Sequence, residues 1–575
     1  MASPCPVTHA PLALRHRACC GHVPRLLGGA AFALLLHARV TAQALRLNGP
    51  LAPGGDVAEF QVAPDGSRVF YRADQDVDEV FELFSVSIDG GSPLELNGPL
   101  AAGGSVGREF VHNLRVSPGG NRVLYWADQD EDEAFELFSV PSDGSQPPVQ
   151  LNGPLVPGGD VQFTPTFLPA QAFAPMTPDG SRVLYVADQE QNEVFELYCA
   201  PLDGSQPAVK LSAVLVPGGD VVLSTPPFGP NPIWPQVSPD GSSAVYRADQ
   251  EADDVFELYG VPLDGSRLPL KLNQPLGPDG DVLSALISPD GAWVLYVARL
   301  DASGPIELYR VALRGRRPER RRISGQNRVR LNVDLDPGEA VSRVSISPDG
   351  SRVLYQANPS GGASDELFSV PINGSSPSVK LSKPGDGAVF TSVTSSVDAR
   401  VVYQAGNEEA FDWKLFCAPI DGSSERIQIS TLSALGYVRG DFELVPQANR
   451  VVYAFALTGS GAGSELHSVP IDGSASPVKL NPAGTSAVSF RVGAGGRHVL
   501  YLQSPLPSGP LELFAAPVDG SRPAWRLNAP LVASRNVVGF AVTAAKRVLY
   551  LADQEVDEVF ELFETFLERP FLRAR

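Results

Sequence analysis

The sequence predicts an all-β fold, a β-propeller of ten four-stranded blades of about 50 residues each. Three observations predict it. Tyrosines closing Arg-Val-Leu-Tyr-like stretches recur ten times, at Tyr71, Tyr125, Tyr185, Tyr246, Tyr296, Tyr355, Tyr403, Tyr453, Tyr501 and Tyr550, at intervals of 48 to 61 residues. Asp-Gly or Asn-Gly turns stand at fixed offsets from them. The chain ends each carry part of one unit, so that together they complete it.

One unit displays the elements in order. Residues 341–347 read as a first strand ending in Pro348-Asp349-Gly350, and residues 352–357 as the second. Residues 366–372 form the third, ending in Asn373-Gly374, and residues 378–381 the fourth. Asp-Gly and Asn-Gly mark hairpins because these residues tolerate positive φ. The first turn recurs at Asp65-Gly66, Asp179-Gly180, Asp240-Gly241 and Asp290-Gly291. The later one recurs at Asp143-Gly144, Asp203-Gly204, Asp264-Gly265, Asp421-Gly422, Asp472-Gly473 and Asp519-Gly520. Units seven to ten are expected to lose the first turn, since Asp398-Ala399, Ala448-Asn449, Gly495-Gly496 and Ala545-Lys546 stand there.

Third strands such as residues 80–86 (Val-Phe-Glu-Leu-Phe-Ser-Val) are apolar on both faces, as sheets stacked between sheets require. The tenth unit stops after its third strand, and the chain begins with an orphan fourth strand, Leu45-Arg46-Leu47-Asn48. It matches Leu331-Asn332 and Leu527-Asn528. Pairing it with unit ten would close a single ring and remove both edges. The alternative is two five-bladed rings, split at the long connection 314–327.

Composition bounds the function. Gly (55) and Pro (53) are abundant, and 43% of residues are apolar, which suits many short strands around a large core. A net charge of −20 argues against nucleic acid and anionic lipid as partners. Residues 1–42 read as a signal peptide: Arg15, Arg17 and Arg25 precede a short apolar run at 26–36, and small residues follow around Ala42 and Ala44. The run is too short to span a membrane, so the mature chain, residues 43–575, is expected to be periplasmic or extracellular and not membrane-spanning. Beyond the signal only Cys199 and Cys417 remain, at equivalent points of two units, and they read as small buried hydrophobes.

The recurring Ser-Pro-Asp-Gly-Ser-Arg-Val-Leu-Tyr, followed by Glu-Leu-Phe-Ser-Val-Pro, resembles the TolB-like (WD40-like) propeller repeat of exported bacterial proteins. Residues 347–355 with 366–371, and 177–185 with 196–201, are examples, and the resemblance runs from Leu45 to Phe563. It implies the propeller fold. The family includes periplasmic interaction proteins, and related propellers precede catalytic domains in peptidases.

Chemistry is sought where the repeat is irregular. The loops between second and third strands are acidic in five units: Asp74, Asp76 and Asp78; Asp128, Asp130 and Asp132; Asp188 and Glu190; Asp249 and Asp253; Asp553 and Asp557. In one ring these units are neighbours and would form an acidic arc. Docking of a basic partner on this face, or calcium ligation at Asp74, Asp76 and Asp78, is one reading; solvated turn loops, with Asp favoured for local backbone bonding, are the other. The loops lack the glycine and glutamate of an EF-hand. Glutamates opening third strands (Glu82, Glu136, Glu196, Glu257, Glu307, Glu366, Glu465, Glu512, Glu561) are expected to pair across strands with arginines opening second strands, such as Arg68, Arg122 and Arg352. Arg316, Arg317, Arg320, Arg321 and Arg322 lie in the basic insertion 314–327 of unit five, a candidate anionic docking segment. No phosphate loop, zinc pattern or dinucleotide fingerprint stands in the chain.

The expectation is a monomeric, non-catalytic exported scaffold that binds a protein, peptide or glycan through its acidic loop face without a cofactor, calcium aside. The alternatives are a hydrolase or lyase built on a propeller platform and a structural cell-surface component.

Overall fold

The computed structural model describes residues 44–567 except 109–112, 163–173, 223–234, 314–327, 360–363, 384–385, 387, 395–398, 408–409, 431–435, 459–462, 507 and 533. The expected signal peptide and the basic insertion lie outside the described residues. Ten antiparallel sheets follow one another along the chain. They are numbered here as blades 1 to 10: residues 57–95, 114–150, 176–210, 236–271, 281–330, 341–380, 388–428, 436–479, 485–526, and 537–566 joined by Leu45–Arg46. In blade 3 the described residues show two isolated bridges to the second strand, Val161 to Ala187 and Met176 to Val183.

The recurring tyrosine explains the register. In blade 6, Arg352–Ala357 pairs with Glu366–Pro371 so that Tyr355 stands opposite Phe368. Their rings stack with centroids 5.2 Å apart. Nine blades repeat this stacked pair at 5.2 to 6.1 Å, and in blade 8 His467 takes the place of the second ring. Each such pair contributes about 0.5–1.5 kcal/mol beyond simple burial. Second strands are buried on both faces because a neighbouring sheet covers each side.

Closure uses the N-terminal strand as expected. Leu45 pairs with Glu564 and Arg46 with Phe563. The Leu47 N–H donates to the Leu562 carbonyl at 2.8 Å, and the Leu562 N–H donates to Asn48 Oδ1 at 2.8 Å. The same clamp recurs in all ten blades, where an Asn or Ser ending the fourth strand accepts from a leucine N–H of the third. The Leu-Asn motif is therefore a sheet-closing device.

Packing between blades decides for one ring. Leu295, Leu308 and Leu331 of blade 5 share a core with Val341, Val344 and Val353 of blade 6. Leu549, Leu551 and Leu562 of blade 10 share one with Leu47, Val57, Val69 and Tyr71 at the other end of the repeat. Two five-bladed rings would instead pack blade 5 on blade 1 and blade 6 on blade 10. The remaining cores join consecutive blades in the same way.

One expectation fails here. The first turns of the last blades persist without Asp-Gly. Ala399, Asn449, Gly496 and Lys546 take φ of 47°, 51°, 66° and 63°. The Lys546 N–H still donates to the Thr543 carbonyl at 3.0 Å. Asn449 and Gly496 tolerate this conformation, whereas at Ala399 and Lys546 the paired strands impose it.

Candidate functional site

The acidic loops serve the architecture first. Asp74, Asp128, Asp188, Asp249 and Asp553 are buried, each 2 to 4% exposed. Asp249 shows the pattern: Oδ1 accepts from the Asp220 N–H at 2.5 Å and Oδ2 from the Asp254 N–H at 3.0 Å. Asp74, Asp128, Asp188 and Asp553 repeat it with the backbones of Asp56 and Glu79, Ser105 and Glu133, Asp160 and Glu193, and Asn536 and Glu558. Glu79, Glu133, Glu193, Asp254 and Glu558 carry φ of 60° to 64°, which turns their N–H groups back onto the carboxylate. The connection acids continue the chain of bonds. Asp220 Oδ1 accepts from Phe195 N of the preceding blade at 2.8 Å, and Asp56 Oδ1 accepts from Phe560 N at 2.5 Å across the ring closure. The result is a carboxylate clasp from blade to blade.

The outer acids Asp76, Asp78, Asp130, Asp132, Asp253 and Asp557 are exposed. Asp78 lies over Gly54, where an added Cβ would meet it at 2.8 Å and φ is +96°. Both Asp74 oxygens are already bound to backbone amides. Among the described residues, no three His, Cys, Asp or Glu side chains converge as a metal ion requires.

The strand-opening glutamates pair, but not with the expected arginines. In an antiparallel hairpin the start of the second strand faces the end of the third: Arg352 stands opposite Pro371 and Ala357 opposite Glu366. Five residues at about 3.4 Å each put roughly 17 Å between the two ends. Arg68, Arg122, Arg352 and Arg450 bind Ser85, Ser139, Ser369 and Ser468 instead, at 2.8 Å. Cys199 and Cys417, free and buried, occupy the same place opposite Arg182 and Arg400. The glutamates pair with a cation of the fourth strand: Lys210 with Glu196 at 2.9 Å, Lys271 with Glu257 at 2.5 Å, Arg330 with Glu307 at 2.8 Å and Arg46 with Glu561 at 2.7 Å. Lys380, Lys479 and Arg526 do the same with Glu366, Glu465 and Glu512.

Three blades break this pairing. Blade 1 has Glu95 and blade 2 has Gln150 at the cation's ladder position. Burial, then Glu95 and Asp76, push the Glu82 carboxyl up to about 7. Burial, then Asp130 and Glu131, push Glu136 up to about 7. Relative to the ordinary 4.5, the folded chain holds extra protons here, so stability is fully present below that value and falls as pH rises to about 7. The thermal midpoint is therefore expected to be higher at pH 5 than at pH 8, and Glu82→Gln/Glu136→Gln should narrow the gap. A gap that the two substitutions leave untouched would refute the assignment.

Blade 7 is the third exception, and its charges are reversed. Lys414 opens the third strand where the other nine blades carry Glu, and Gln428 replaces the cation. These two residues, with Asp386, Asn407, Asp412, Phe416 and Arg426, line a cavity of about 410 Å³. The Arg426 guanidinium lies 3.9 Å over the Phe416 ring and pairs with buried Asp386. Asp386 also accepts from the Lys383 N–H at 2.7 Å. Lys414 Nζ bonds Asp412 Oδ2 at 3.0 Å. The Asn407 N–H holds Asp412 below the usual carboxylate range against its partial burial, and Lys414 adds to the effect. Among the described residues, Gln428 Nε2 and Arg426 Nε are buried donors without an acceptor. The arrangement can hold an oxyanion against Lys414 and these donors. The absent Glu in unit seven was the signal for this site in the sequence, and reading the repeat for its regularities passed over it. A second cavity, of about 520 Å³, lies between blades 8 and 9 and is lined by Arg497, His498, Asp519 and Arg522 among others.

No family profile and no curated protein matches the chain. Solved structures do. Dipeptidyl peptidase 4 of Porphyromonas gingivalis matches with a TM-score of 0.47 and 10% identity over 78% of this chain and 66% of that one. A prolyl endopeptidase, described for the role of inter-domain dynamics in catalysis and specificity, matches with a TM-score of 0.34 and 16% identity over 65% and 53%. The chain thus spans less than two-thirds of either length. The likeness is one of propeller fold. Both are described as peptidases, and against the expectation of a non-catalytic scaffold a non-catalytic role is not shown. The clasp narrows the acidic face: the innermost acid of each loop, Asp74, Asp128, Asp249 and Asp553 among them, is bound to backbone, while the outer acids are exposed. Among the described residues no helix is long and apolar enough to cross a membrane.

Proposed function

We propose that this chain is the substrate platform of a propeller hydrolase or lyase and takes a small oxyanion-bearing substrate in the blade 7 cavity. The observation that carries the reading is the pair of buried donors, Gln428 Nε2 and Arg426 Nε, left without acceptors in the one blade whose charges are reversed. Buried donors are ordinarily satisfied, so an unsatisfied pair lining an open cavity calls for a ligand oxygen. Chemistry on a substrate needs one asymmetric place, and blade 7 is such a place in a ten-fold repeat. Lys414 orients the substrate's anionic group, Arg426 supplies positive charge from a dry face, and ionised Asp412 accepts a hydrogen bond from a substrate hydroxyl or ammonium.

The repeat motif supports a place among TolB-like propellers, and residues 1–42 support export to the periplasm or beyond. The test is a turnover panel of anionic aryl esters, uronate oligosaccharides and carboxylate-bearing anilides. Turnover on one class is expected, with kcat/KM about 10- to 100-fold lower in Lys414→Ala or Gln428→Leu and an unchanged thermal midpoint. No turnover on any class would remove the enzymatic reading. Turnover indifferent to both substitutions would remove blade 7 from it.

A further inference from the structure

Blades 1 and 2 contain the carboxylates of a cation seat without the cation. In blade 3, Lys210 Nζ sits between Glu196 of the third strand and Glu190 of the preceding loop, at 2.9 and 2.7 Å. In blade 4, Lys271 Nζ sits between Glu257 and Glu251 at 2.5 and 2.7 Å. In blade 10, Arg46 reaches Glu561 at 2.7 Å and Glu555 at 3.5 Å. Burial would lower Lys210 and Lys271, yet the two carboxylates around each raise them above the ordinary lysine value. The seat is thus built for an ammonium or guanidinium.

Blades 1 and 2 keep the same carboxylates. Asp76 and Asp130 stand at the loop position of Glu190 and Glu251, each two residues after the clasp aspartate. Glu82 and Glu136 open the third strands. The fourth-strand position that carries Lys210 opposite Tyr198 carries Glu95 opposite Phe84 and Gln150 opposite Phe138. Glu136 is 9% exposed, and its Oε2 meets no donor of the chain beyond the proton it shares with the Asp130 carboxylate beside it. Gln150 Nε2 satisfies only Oε1, at 2.5 Å. In blade 1 the buried Glu82 Oε2 likewise lacks a donor, and Glu95 adds a further negative charge.

We propose that blades 1 and 2 each bind a primary ammonium group of a ligand, seated where the chain's own lysines sit in blades 3 and 4. The seat is open: Lys210 and Lys271, its occupants in the sister blades, are about 30% exposed at the side chain. The ammonium can come from a small amine or from a lysine side chain of a peptide. Calcium fits less well: in blade 2 Gln150 turns an amide nitrogen into the seat where an oxygen donor is needed, and among the described residues no three carboxylates converge as a metal ion requires.

The experiment compares the full chain with Glu95→Lys/Gln150→Lys, which restores the lysine of blades 3 and 4 and so stays within a fold the chain already tolerates. Thermal midpoints at pH 8 are read with n-butylammonium against tetramethylammonium at equal ionic strength. They are read again with a blocked lysine peptide against its norleucine counterpart. The wild type should rise by about 1 °C or more with the primary ammonium over its control, and the double variant should show no difference and melt higher alone. A larger response to the lysine peptide at equal concentration assigns the seat to peptide lysines; a response to butylammonium alone assigns it to small amines. Equal responses to butylammonium and tetramethylammonium, a response surviving in the variant, or a rise with calcium that no ammonium reproduces would overturn the proposal. The blade 7 substitutions leave this readout unchanged, so the two readings fail separately.

Discussion

Leu47→Ala should lower stability by about 2–5 kcal/mol, although Leu47 belongs to a strand that ends within five residues of the first described position. The side chain is 1% exposed and packs in the core between blades 10 and 1. Its backbone N–H holds the Leu562 carbonyl, and Asn48 holds the Leu562 N–H. Asn48→Ala would leave that buried N–H without an acceptor, at about 1–3 kcal/mol. Removing residues 44–48 altogether exposes the third strand of blade 10 as an unpaired edge, so aggregation should accompany the lost stability. Denaturant midpoints and size-exclusion profiles measure both effects. Leu45→Ala is the internal control: Leu45 is 39% exposed, and its truncation should change little. Equal midpoints for Leu47→Ala and Leu45→Ala would mean that the N-terminal strand does not close the ring.

The blades were legible because their signals are local. A tyrosine opposite an aromatic ring and an Asp-Gly at a hairpin each act within a few residues, so the sequence carries them directly. Closure was legible because Leu47-Asn48 and Leu527-Asn528 share a motif, and that motif proves to be the Asn-to-leucine clamp. The single ring was expected from the mismatched ends and the contiguous acidic units, but what decides it, contacts such as Leu331 with Val341, arises between sheets and leaves no spacing in the chain. The acidic loops were legible as turns with Asp bonded to local backbone, but not which acid of each loop does the bonding. Whether an aspartate meets solvent or backbone depends on the left-handed turn at Glu79 or Asp254, and neither residue advertises positive φ. The arginine and glutamate pairing failed on direction: both residues open strands, and antiparallel strands open at opposite ends. Blade 7 was hidden because Lys414 and Gln428 are ordinary residues, Lys414 meaningful only against nine blades that carry Glu and Gln428 only beside it, since blade 2 also carries Gln there.

Asp249→Ala tests whether the acidic loops build the ring. The substitution leaves two N–H groups without an acceptor, that of Asp220 in the connection between blades 3 and 4 and that of Asp254 in the loop between the second and third strands of blade 4. Each unsatisfied amide costs about 1–3 kcal/mol, so a loss of about 2–6 kcal/mol is expected. Asp249→Asn keeps one oxygen and turns an amide nitrogen toward the second N–H, so it should lose more than half of that amount. Asp557→Asn, an exposed acid of the same loop family, should stay within about 0.5 kcal/mol. The contrast separates two origins of the same composition. A clasp predicts strong effects at Asp74, Asp128, Asp188, Asp249 and Asp553 and weak ones at the outer acids. A surface selected for charge alone predicts the same small effect at every acid. Hydrogen exchange adds a location: the Asp220 and Asp254 amides should lose protection in Asp249→Ala while the blade 6 amides keep theirs. Uniform loss around the ring would mean that the substitution acts by global destabilisation and not by opening one blade-to-blade bond.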